Sequence, residues 1–257
     1  MDLVGKTVVV VGGFGGIGFE VCKCLLQSKI KSLGIFDQRE NPSKLAELGN
    51  NDVDITFCKM DITKKPEIEQ AYNRFIRKAG PIDLVINSAG IMDDRKVRLT
   101  VEINLIGLME STLTAISHMN KLDGGKGGFI VNISSVLGIE PGTATAIYSG
   151  SKFGVVGFTK SLANDFYYQQ NGVKLMVICP GITITPLIEN LVGIKDTFDY
   201  SKDITSFISR AKSQTAEECA KNIIKSIQQA ENGSIFICDL GELRSVELAK
   251  LWEIQFK

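Results

Sequence analysis

A tyrosine stands four residues before a lysine in the segment YSGSK, residues 148–152. On a helix, Tyr148 and Lys152 would leave the same face, because residues i and i+4 are neighbours there. A free tyrosine has a pKa of about 10, and a positive charge within about 4–6 Å favours the phenolate. The pair could then accept and return a proton near neutral pH, in a chain whose single histidine is His118. The alternative is an ordinary i,i+4 pair on a helix surface.

A glycine-rich turn stands near the N-terminus, in the segment VVVVGGFGGIGFEV. Gly13, Gly15 and Gly18 have the spacing Gly-x-Gly-x-x-Gly, directly after a strand-like run and before a helix-like run. Glycines permit a tight turn and let the backbone approach a pyrophosphate, which the N–H groups of the helix N-terminus then face. The segment predicts a dinucleotide site. A glycine turn without function is the alternative.

An acidic residue follows at the end of the next strand-like run. Asp37 closes the run SLGIFD, twenty-four residues after Gly13. A carboxylate at this place can accept the ribose hydroxyls of the adenosine half and would repel a 2′-phosphate, which favours NAD over NADP. Arg39 complicates this prediction, because a nearby arginine can pair with a 2′-phosphate. Asp37 as a simple turn residue is the alternative.

The elements that must position these residues alternate along the chain. The strand-like runs are rich in Val, Ile and Phe and do not alternate with polar residues, which is typical of strands buried on both faces. We therefore predict an α/β fold over residues 1–257, a single doubly wound Rossmann-type domain with a mainly parallel sheet flanked by helices. The predicted strands are 7–11, 32–37, 55–61, 83–90, 128–135, 174–181 and 234–241, and the predicted helices are 19–28, 65–79, 99–120 and 146–169.

Composition argues against several other classes of protein. Lys plus Arg and Asp plus Glu number 29 each, so charge gives no reason to expect nucleic acid or an acidic membrane surface as a partner. The six cysteines are scattered through apolar stretches, which predicts buried free thiols, no metal site and a reducing, cytoplasmic location. No signal peptide and no membrane span are expected.

Several motifs in the same order resemble those of the short-chain dehydrogenases/reductases. The family's Thr-Gly-x-x-x-Gly-Ile-Gly loop is matched by Gly12, Gly16, Ile17 and Gly18, with Val11 in place of the threonine. The segment MDIT (60–63) resembles the family's adenine-binding segment, and NSAG (87–90) resembles its Asn-Asn-Ala-Gly motif. ISS (133–135) and YSGSK (148–152) resemble the segments of its catalytic serine and of its catalytic tyrosine and lysine, and PGITIT (180–185) resembles its nicotinamide loop. The resemblance covers nearly the whole chain.

This resemblance implies a role for each matching residue. Tyr148 follows Ser135 by thirteen residues, the usual family spacing, so Ser135 rather than Ser134 would stabilise the substrate oxygen. Asn104 would hold a water against Lys152, although a buried polar residue within a helix is the alternative. The implied catalytic residues are Asn104, Ser135, Tyr148 and Lys152. The implied cofactor-binding residues are Gly12, Gly13, Phe14, Gly15, Gly16, Ile17, Gly18, Asp37, Asp61, Ile62, Ala89, Gly90, Tyr148, Lys152, Pro180, Gly181, Ile182, Thr183 and Thr185.

The segments ENP (40–42), AGIMDD (89–94) and DLG (239–241) resemble those of the insect alcohol dehydrogenase branch of the family. Within that branch the chain resembles the retinol-type dehydrogenases of insect photoreceptors, which implies a retinoid-like substrate. Residues 182–213, here called the lid, carry many large apolar side chains and no cluster of Arg or Lys, which favours a lipophilic alcohol or aldehyde. The alternatives are a small secondary-alcohol dehydrogenase, a ketone or sterol enzyme, and a non-catalytic dinucleotide-binding storage or sensor protein.

Assembly can also be predicted from the helices and the C-terminus. The apolar faces of the helices at 99–120 and 146–169 predict a homodimer through a four-helix interface, as in the family. Residues 243–257 form an amphipathic tail whose apolar residues could cover a neighbouring subunit.

Overall fold

A parallel sheet forms the centre of the molecule and confirms the predicted α/β fold. The computed structural model describes residues 1–49, 52–189 and 210–249. Its described strands are β1 (Thr7–Val11), β2 (Ser32–Asp37), β3 (Asp54–Lys59), β4 (Leu84–Asn87), β5 (Gly128–Ile133), β6 (Val173–Pro180), β7 (Thr183–Ile184), β8 (Gln214–Thr215), β9 (Ile235–Asp239) and β10 (Glu242–Val246). Eight of them form the sheet in the order β3-β2-β1-β4-β5-β6-β9-β10, and only β10 is antiparallel to its neighbour. Strands β7 and β8 form a separate parallel pair.

Helices cover both faces of this sheet. Among the described residues these helices are α1 (Gly16–Gln27), α2 (Pro42–Leu48), α3 (Lys65–Ala79), α4 (Val97–Met119), α5 (Ala146–Leu162), α6 (Asp165–Asn171), α7 (Pro186–Glu189) and α8 (Ala216–Gln229). Two 3₁₀ turns cover Lys121–Asp123 and Val136–Gly138.

Strand β1 is buried on both faces, which explains why its apolar residues do not alternate with polar ones. All five of its residues are buried. Val8 and Val10 pack into the core beneath α1 and α8, whereas Val9 and Val11 pack into the core beneath α3 and α4. Each face of the sheet therefore buries one half of the strand, and a charged residue at any of these four valine positions would be desolvated.

The strand order creates a crevice at the carboxyl ends of the central strands. β1 pairs with β2 on one side and with β4 on the other, so consecutive connections leave the sheet in opposite directions at this point. Ligands of open α/β sheets bind at such a switch point. The loops that follow β1, β2, β4, β5 and β6 all open at this edge, which brings together segments far apart in the sequence.

Two local features differ from the prediction. The single helix predicted over 146–169 is interrupted at Ala163, because Asn164 accepts a hydrogen bond from the Tyr167 N–H (3.1 Å) and starts a new helix, α6. The short helix α2 was missed, although Asn41 caps it and a proline follows directly, both typical of a helix start.

The predicted amphipathic tail is described in its first part, residues 243–249. Its first residues belong to β10, which pairs antiparallel with β9. The connection is a two-residue hairpin turn in which Leu240 has φ 50° and Gly241 has φ 76°. The tail's last residues, 250–257, lie outside the described part of the chain.

Helix α4 is long and apolar enough, by length and composition alone, to pass as a membrane span, which the sequence analysis did not predict. A core helix of a globular domain has the same properties, and α4 packs against α3 and α5. Its central stretch, Glu102–Gly107, is π-helical. Such irregular turns often occur at functional sites, and this one carries Asn104.

Candidate active site

The glycine loop joins β1 to α1 and is closely packed. Gly12 has φ 75°, and a Cβ there would lie 2.7 Å from the backbone of Ala89. A Cβ on Gly18 would overlap the carbonyl oxygen of Gly12. Helix α1 begins at Gly16 without a side-chain cap, so its first N–H groups remain available to an anion. The loop has the backbone geometry and the free donors that a pyrophosphate requires.

Asp37 lies against this loop. Its carboxylate accepts hydrogen bonds from the N–H of Phe14 (2.9 Å) and the N–H of Gln38 (2.8 Å). Arg39, the complicating cation, is exposed. The structure thus brings the acidic residue and the glycine loop together, as the predicted adenosine site requires.

A second cation near the loop was missed by the sequence analysis. The Lys44 ammonium donates a hydrogen bond to the carbonyl oxygen of Phe14 (2.6 Å) and lies 4.6 Å from the centroid of the Phe19 ring. Lys44 belongs to α2, the helix that was not predicted, so nothing in the motif spacing pointed to it. It ties α2 to the glycine loop.

Asp61 and Ile62 follow β3, beside the crevice. Asp61 accepts hydrogen bonds from the Thr63 N–H (3.0 Å) and hydroxyl (2.7 Å). Burial opposes ionisation, but these bonds and the nearby Lys64 hold the pKa of Asp61 below its usual value. Asp61 is therefore an ionised acceptor at neutral pH, and Ile62 beside it is buried.

The four predicted catalytic residues meet on the far side of the glycine loop. They come from α4 (Asn104), the end of β5 (Ser135) and the first two turns of α5 (Tyr148, Lys152), and all are at least nine-tenths buried. Two consecutive residues connect them to the glycine loop: the backbone of Ala89 packs against Gly12, and a Cβ on Gly90 would be 3.5 Å from the Lys152 ammonium. The structure therefore places the tetrad and the predicted cofactor cradle side by side.

Lys152 and Asn104 are held by backbone groups. The Lys152 ammonium donates to the carbonyl oxygen of Ile133 (3.0 Å) and lies 5.7 Å from the centroid of the Tyr148 ring. Asn104 bonds both backbone groups of Ile91, accepting from its N–H and donating to its carbonyl, each at 2.8 Å. Both side chains are therefore fixed before any ligand binds.

Ser151 connects Asn104 to the tyrosine and was not predicted. Its hydroxyl accepts a hydrogen bond from the Asn104 amide (3.1 Å) and donates to the carbonyl oxygen of Tyr148 (2.6 Å). Its position inside YSGSK was visible in the sequence, but its contact with Asn104, which lies in the π-helical stretch of α4, joins two segments distant in the sequence.

The two neighbouring serines have different surroundings. The Ser134 hydroxyl donates a hydrogen bond to the carbonyl oxygen of Lys152 (2.9 Å). Its proton is therefore engaged by the backbone and is not available to a substrate oxygen. Ser135 accepts a bond from the Leu137 N–H (3.1 Å). Its hydroxyl also acts to lower the pKa of the Tyr148 phenol, against the larger effect of burial. Ser135 is thus the serine whose hydroxyl influences the tyrosine.

Burial dominates the electrostatics of the pair. It raises the pKa of Tyr148 to about 12, against the opposing hydrogen bond from Ser135, and it lowers the pKa of Lys152 to about 8. The i,i+4 spacing of Tyr148 and Lys152 predicted a lowered tyrosine pKa, and in the protein alone the pKa moves in the opposite direction. The phenol is neutral at pH 7, so further positive charge is needed before it can act as a base.

Pro180, Gly181 and Ile182 continue the site from the end of β6. Thr183 donates its hydroxyl to the carbonyl oxygen of Gly181 (3.0 Å) and accepts a bond from the amide of Gln214 (3.1 Å). Thr185 packs against Gly16, where a Cβ would overlap its side chain. This predicted nicotinamide segment therefore contacts the glycine loop directly.

The lid lies mostly outside the described residues. Within it, Ile184 is 53% exposed and Leu187 and Ile188 are half-buried. The predicted lid residues outside the described part of the chain are Leu191, Val192, Ile194, Phe198, Phe207 and Ile208.

All six cysteines are buried free thiols, as predicted. Cys179 lies beside the tetrad, and burial raises its pKa to about 12, so it remains a neutral thiol there. Across 1–49, 52–189 and 210–249, no group of three or more His, Cys, Asp or Glu could hold a metal ion.

Comparison with known proteins agrees with this geometry. A family model described as short chain dehydrogenase matches residues 6–193. Alcohol dehydrogenase 1 of Ceratitis capitata is 45% identical over 255 residues, covering 98% of this chain and 99% of that protein. The development-specific 25 kDa protein of Sarcophaga peregrina is 37% identical over 250 residues, covering 96% and 97%.

A solved structure gives the same fold. The crystal structure of levodione reductase superposes with a TM-score of 0.77 at 23% sequence identity, covering 93% of this chain and 98% of that one. At this identity the likeness concerns the fold alone.

Proposed function

This chain belongs to the short-chain dehydrogenase family, and we propose that it is an NAD-dependent alcohol dehydrogenase acting on a lipophilic alcohol or its aldehyde. The observation that carries the proposal is the buried tetrad of Asn104, Ser135, Tyr148 and Lys152 beside a glycine cradle. A storage or sensor protein would bind a dinucleotide without needing these four side chains.

The residues present fit a nicotinamide dinucleotide. The cradle at Gly12 and Gly18 admits no side chain, the N-terminus of α1 has free donors, and Asp37 faces the loop. These groups would hold the pyrophosphate and the adenosine ribose, and Thr183 with Thr185 would hold the nicotinamide end. NAD, when bound, supplies the hydride acceptor and a positive charge.

The chain's own residues handle the proton. Tyr148 takes the proton of the alcohol hydroxyl as that oxygen becomes a carbonyl. Ser135 donates a hydrogen bond to the same oxygen and stabilises its charge. The positive charge of the Lys152 ammonium favours the phenolate form of Tyr148. Asn104, on the π-helical stretch of α4, would hold a water against Lys152 through which the proton passes to solvent.

Cofactor choice is tested at Asp37. We expect NAD to bind at least about tenfold more tightly than NADP, roughly 1.4 kcal/mol, because the carboxylate repels a 2′-phosphate. Asp37→Ala should reduce this preference, whereas Glu40→Gln, which removes a neighbouring exposed charge, should not. Calorimetric titration with both cofactors measures the ratio, and equal affinities in the wild-type protein would reject the proposal.

Substrate class is tested by kinetics. The exposed Ile184 and half-buried Leu187 and Ile188 offer apolar surface near the site. Each buried CH₂ contributes about 0.8 kcal/mol, so a long polyene alcohol gains more than a three-carbon alcohol. We expect a higher kcat/KM for retinol than for propan-2-ol, measured side by side with NAD. A higher value for propan-2-ol would instead make the protein a small-alcohol dehydrogenase.

Assembly as a homodimer is supported by an exposed apolar stripe. Leu99, Ile106 and Leu113 recur every seven residues along α4 and are all exposed. On α5, Phe153 is exposed between Gly150 and Gly157, where an added Cβ would meet nothing. Two such helices from each of two copies would bury this surface. A cytoplasmic location is supported by the six unpaired thiols.

A further inference from the structure

We infer that Asp94 is a positioning residue for Tyr148, an inference that rests on the proposed function. Asp94 lies in the loop between β4 and α4 and is 5% exposed. Its two carboxylate oxygens accept hydrogen bonds from backbone groups of α5, from the N–H of Ile147 (2.9 Å) and from the N–H of Tyr148 itself (3.0 Å). A residue more than fifty positions earlier therefore holds the backbone of the tyrosine.

Helix α5 depends on this contact because its own sequence provides no cap. Its N-terminal flanking residue, Thr145, makes no side-chain hydrogen bond to the first turn's N–H groups, and its hydroxyl instead bonds the carbonyl oxygen of Gly142 (3.1 Å). The first N–H groups of a helix have no partner within the helix. Asp94 satisfies two of them and places its negative charge at the positive end of the helix dipole.

The position of Tyr148 makes this cap relevant to catalysis. Tyr148 is the third residue of α5, in the turn where helices fray, whereas Lys152 lies one turn further in and is held by the Ile133 carbonyl. If the first turn loosens, the phenol moves relative to the ammonium and to Ser135, which are anchored elsewhere. A misplacement of about 1 Å can cost on the order of 10²-fold in rate.

The test compares Asp94→Ala and Asp94→Asn with the neighbouring change Asp93→Asn. Asp93 is the matched control, because among the described residues its carboxylate contacts the Arg95 N–H and the Lys96 ammonium. Both groups lie in the segment just before α4, and neither belongs to α5. Asparagine keeps one acceptor oxygen, so Asp94→Asn should fold and lose less than Asp94→Ala. We expect kcat of Asp94→Ala to fall at least about tenfold, with the dissociation constant of NAD within about twofold of wild type, since proton transfer but not binding depends on the first turn.

Hydrogen exchange separates this inference from the proposed function. The amides of Ile147 and Tyr148 should exchange faster in Asp94→Ala than in wild type or Asp93→Asn, whether or not any alcohol is turned over. If these amides exchange faster in Asp94→Ala but the wild-type protein oxidises no alcohol, the contact between Asp94 and helix α5 stands and the proposed function is rejected. Unchanged exchange, a kcat within about twofold of wild type, or equal losses in kcat and NAD affinity would overturn the inference.

Discussion

Replacing Tyr148 by phenylalanine is expected to lower kcat by about 10²–10⁴, while NAD still binds, because positioned acid–base groups contribute this much to a rate. The change removes only the phenol oxygen. The ring stays buried, and no atom in contact with Gly12 or Gly18 of the cradle is changed. Steady-state kinetics with NAD and a titration of cofactor binding measure the two effects separately.

Tyr72→Phe provides the matched control. Tyr72 is also fully buried, but its hydroxyl bonds Ser111 (3.0 Å) in the core under α3 and α4. This variant loses a buried hydroxyl without touching the tetrad, so its kcat should stay near that of wild type even if the protein melts at a lower temperature. Turnover of Tyr148→Phe within about tenfold of wild type would reject Tyr148 as the proton-transfer residue.

Replacing Lys152 by methionine should produce a second large loss, accompanied by a shift in pH dependence. Burial lowers the pKa of Lys152 to about 8, so its ammonium is charged at neutral pH and favours the phenolate. Burial pushes the pKa of Tyr148 in the opposite direction, to about 12. Without the ammonium the phenol is harder to deprotonate, so the pH at half-maximal kcat/KM for alcohol oxidation should move upward.

Lys160→Met controls for loss of a lysine from the same helix. The Lys160 ammonium donates to the carbonyl oxygen of Gly233 (2.8 Å), two turns beyond the tetrad. Its pH profile for alcohol oxidation should match that of wild type. A Lys152→Met enzyme that loses rate at every pH with no shift of the profile would show that the lysine acts only through structure.

The sheet could be predicted because its strands are buried on both faces and therefore have an uninterrupted apolar sequence. Val8 to Val11 illustrate this, with alternate residues in the two cores. The elements at the periphery depend on weaker, local signals. Asn41 and Asn164 each cap a helix that the apolar pattern did not reveal, and Gly241 forms the hairpin turn leading to β10. Small polar and glycine residues decide these boundaries, and several choices of boundary fit the sequence.

The site could be predicted where residue spacing within one element sets the geometry, as for Tyr148 and Lys152 on α5. It could not be predicted where two distant segments meet. Lys44 reaches the glycine loop from α2, and Ser151 on α5 meets Asn104 on the π-helical stretch of α4. The direction of the Tyr148 pKa also depends on burial, which spacing does not report.

Transfer of deuterium from a labelled alcohol to the nicotinamide ring tests the central claim most directly. The wild-type protein would be incubated with NAD and either propan-2-ol deuterated at C2 or retinol deuterated at its hydroxyl-bearing carbon, and the reduced cofactor analysed by mass spectrometry. We predict reduced cofactor carrying one deuterium from at least one of the two alcohols, because the hydride moves directly between carbon atoms. Reduced cofactor without deuterium, or none formed with either alcohol although NAD binds, would contradict the account.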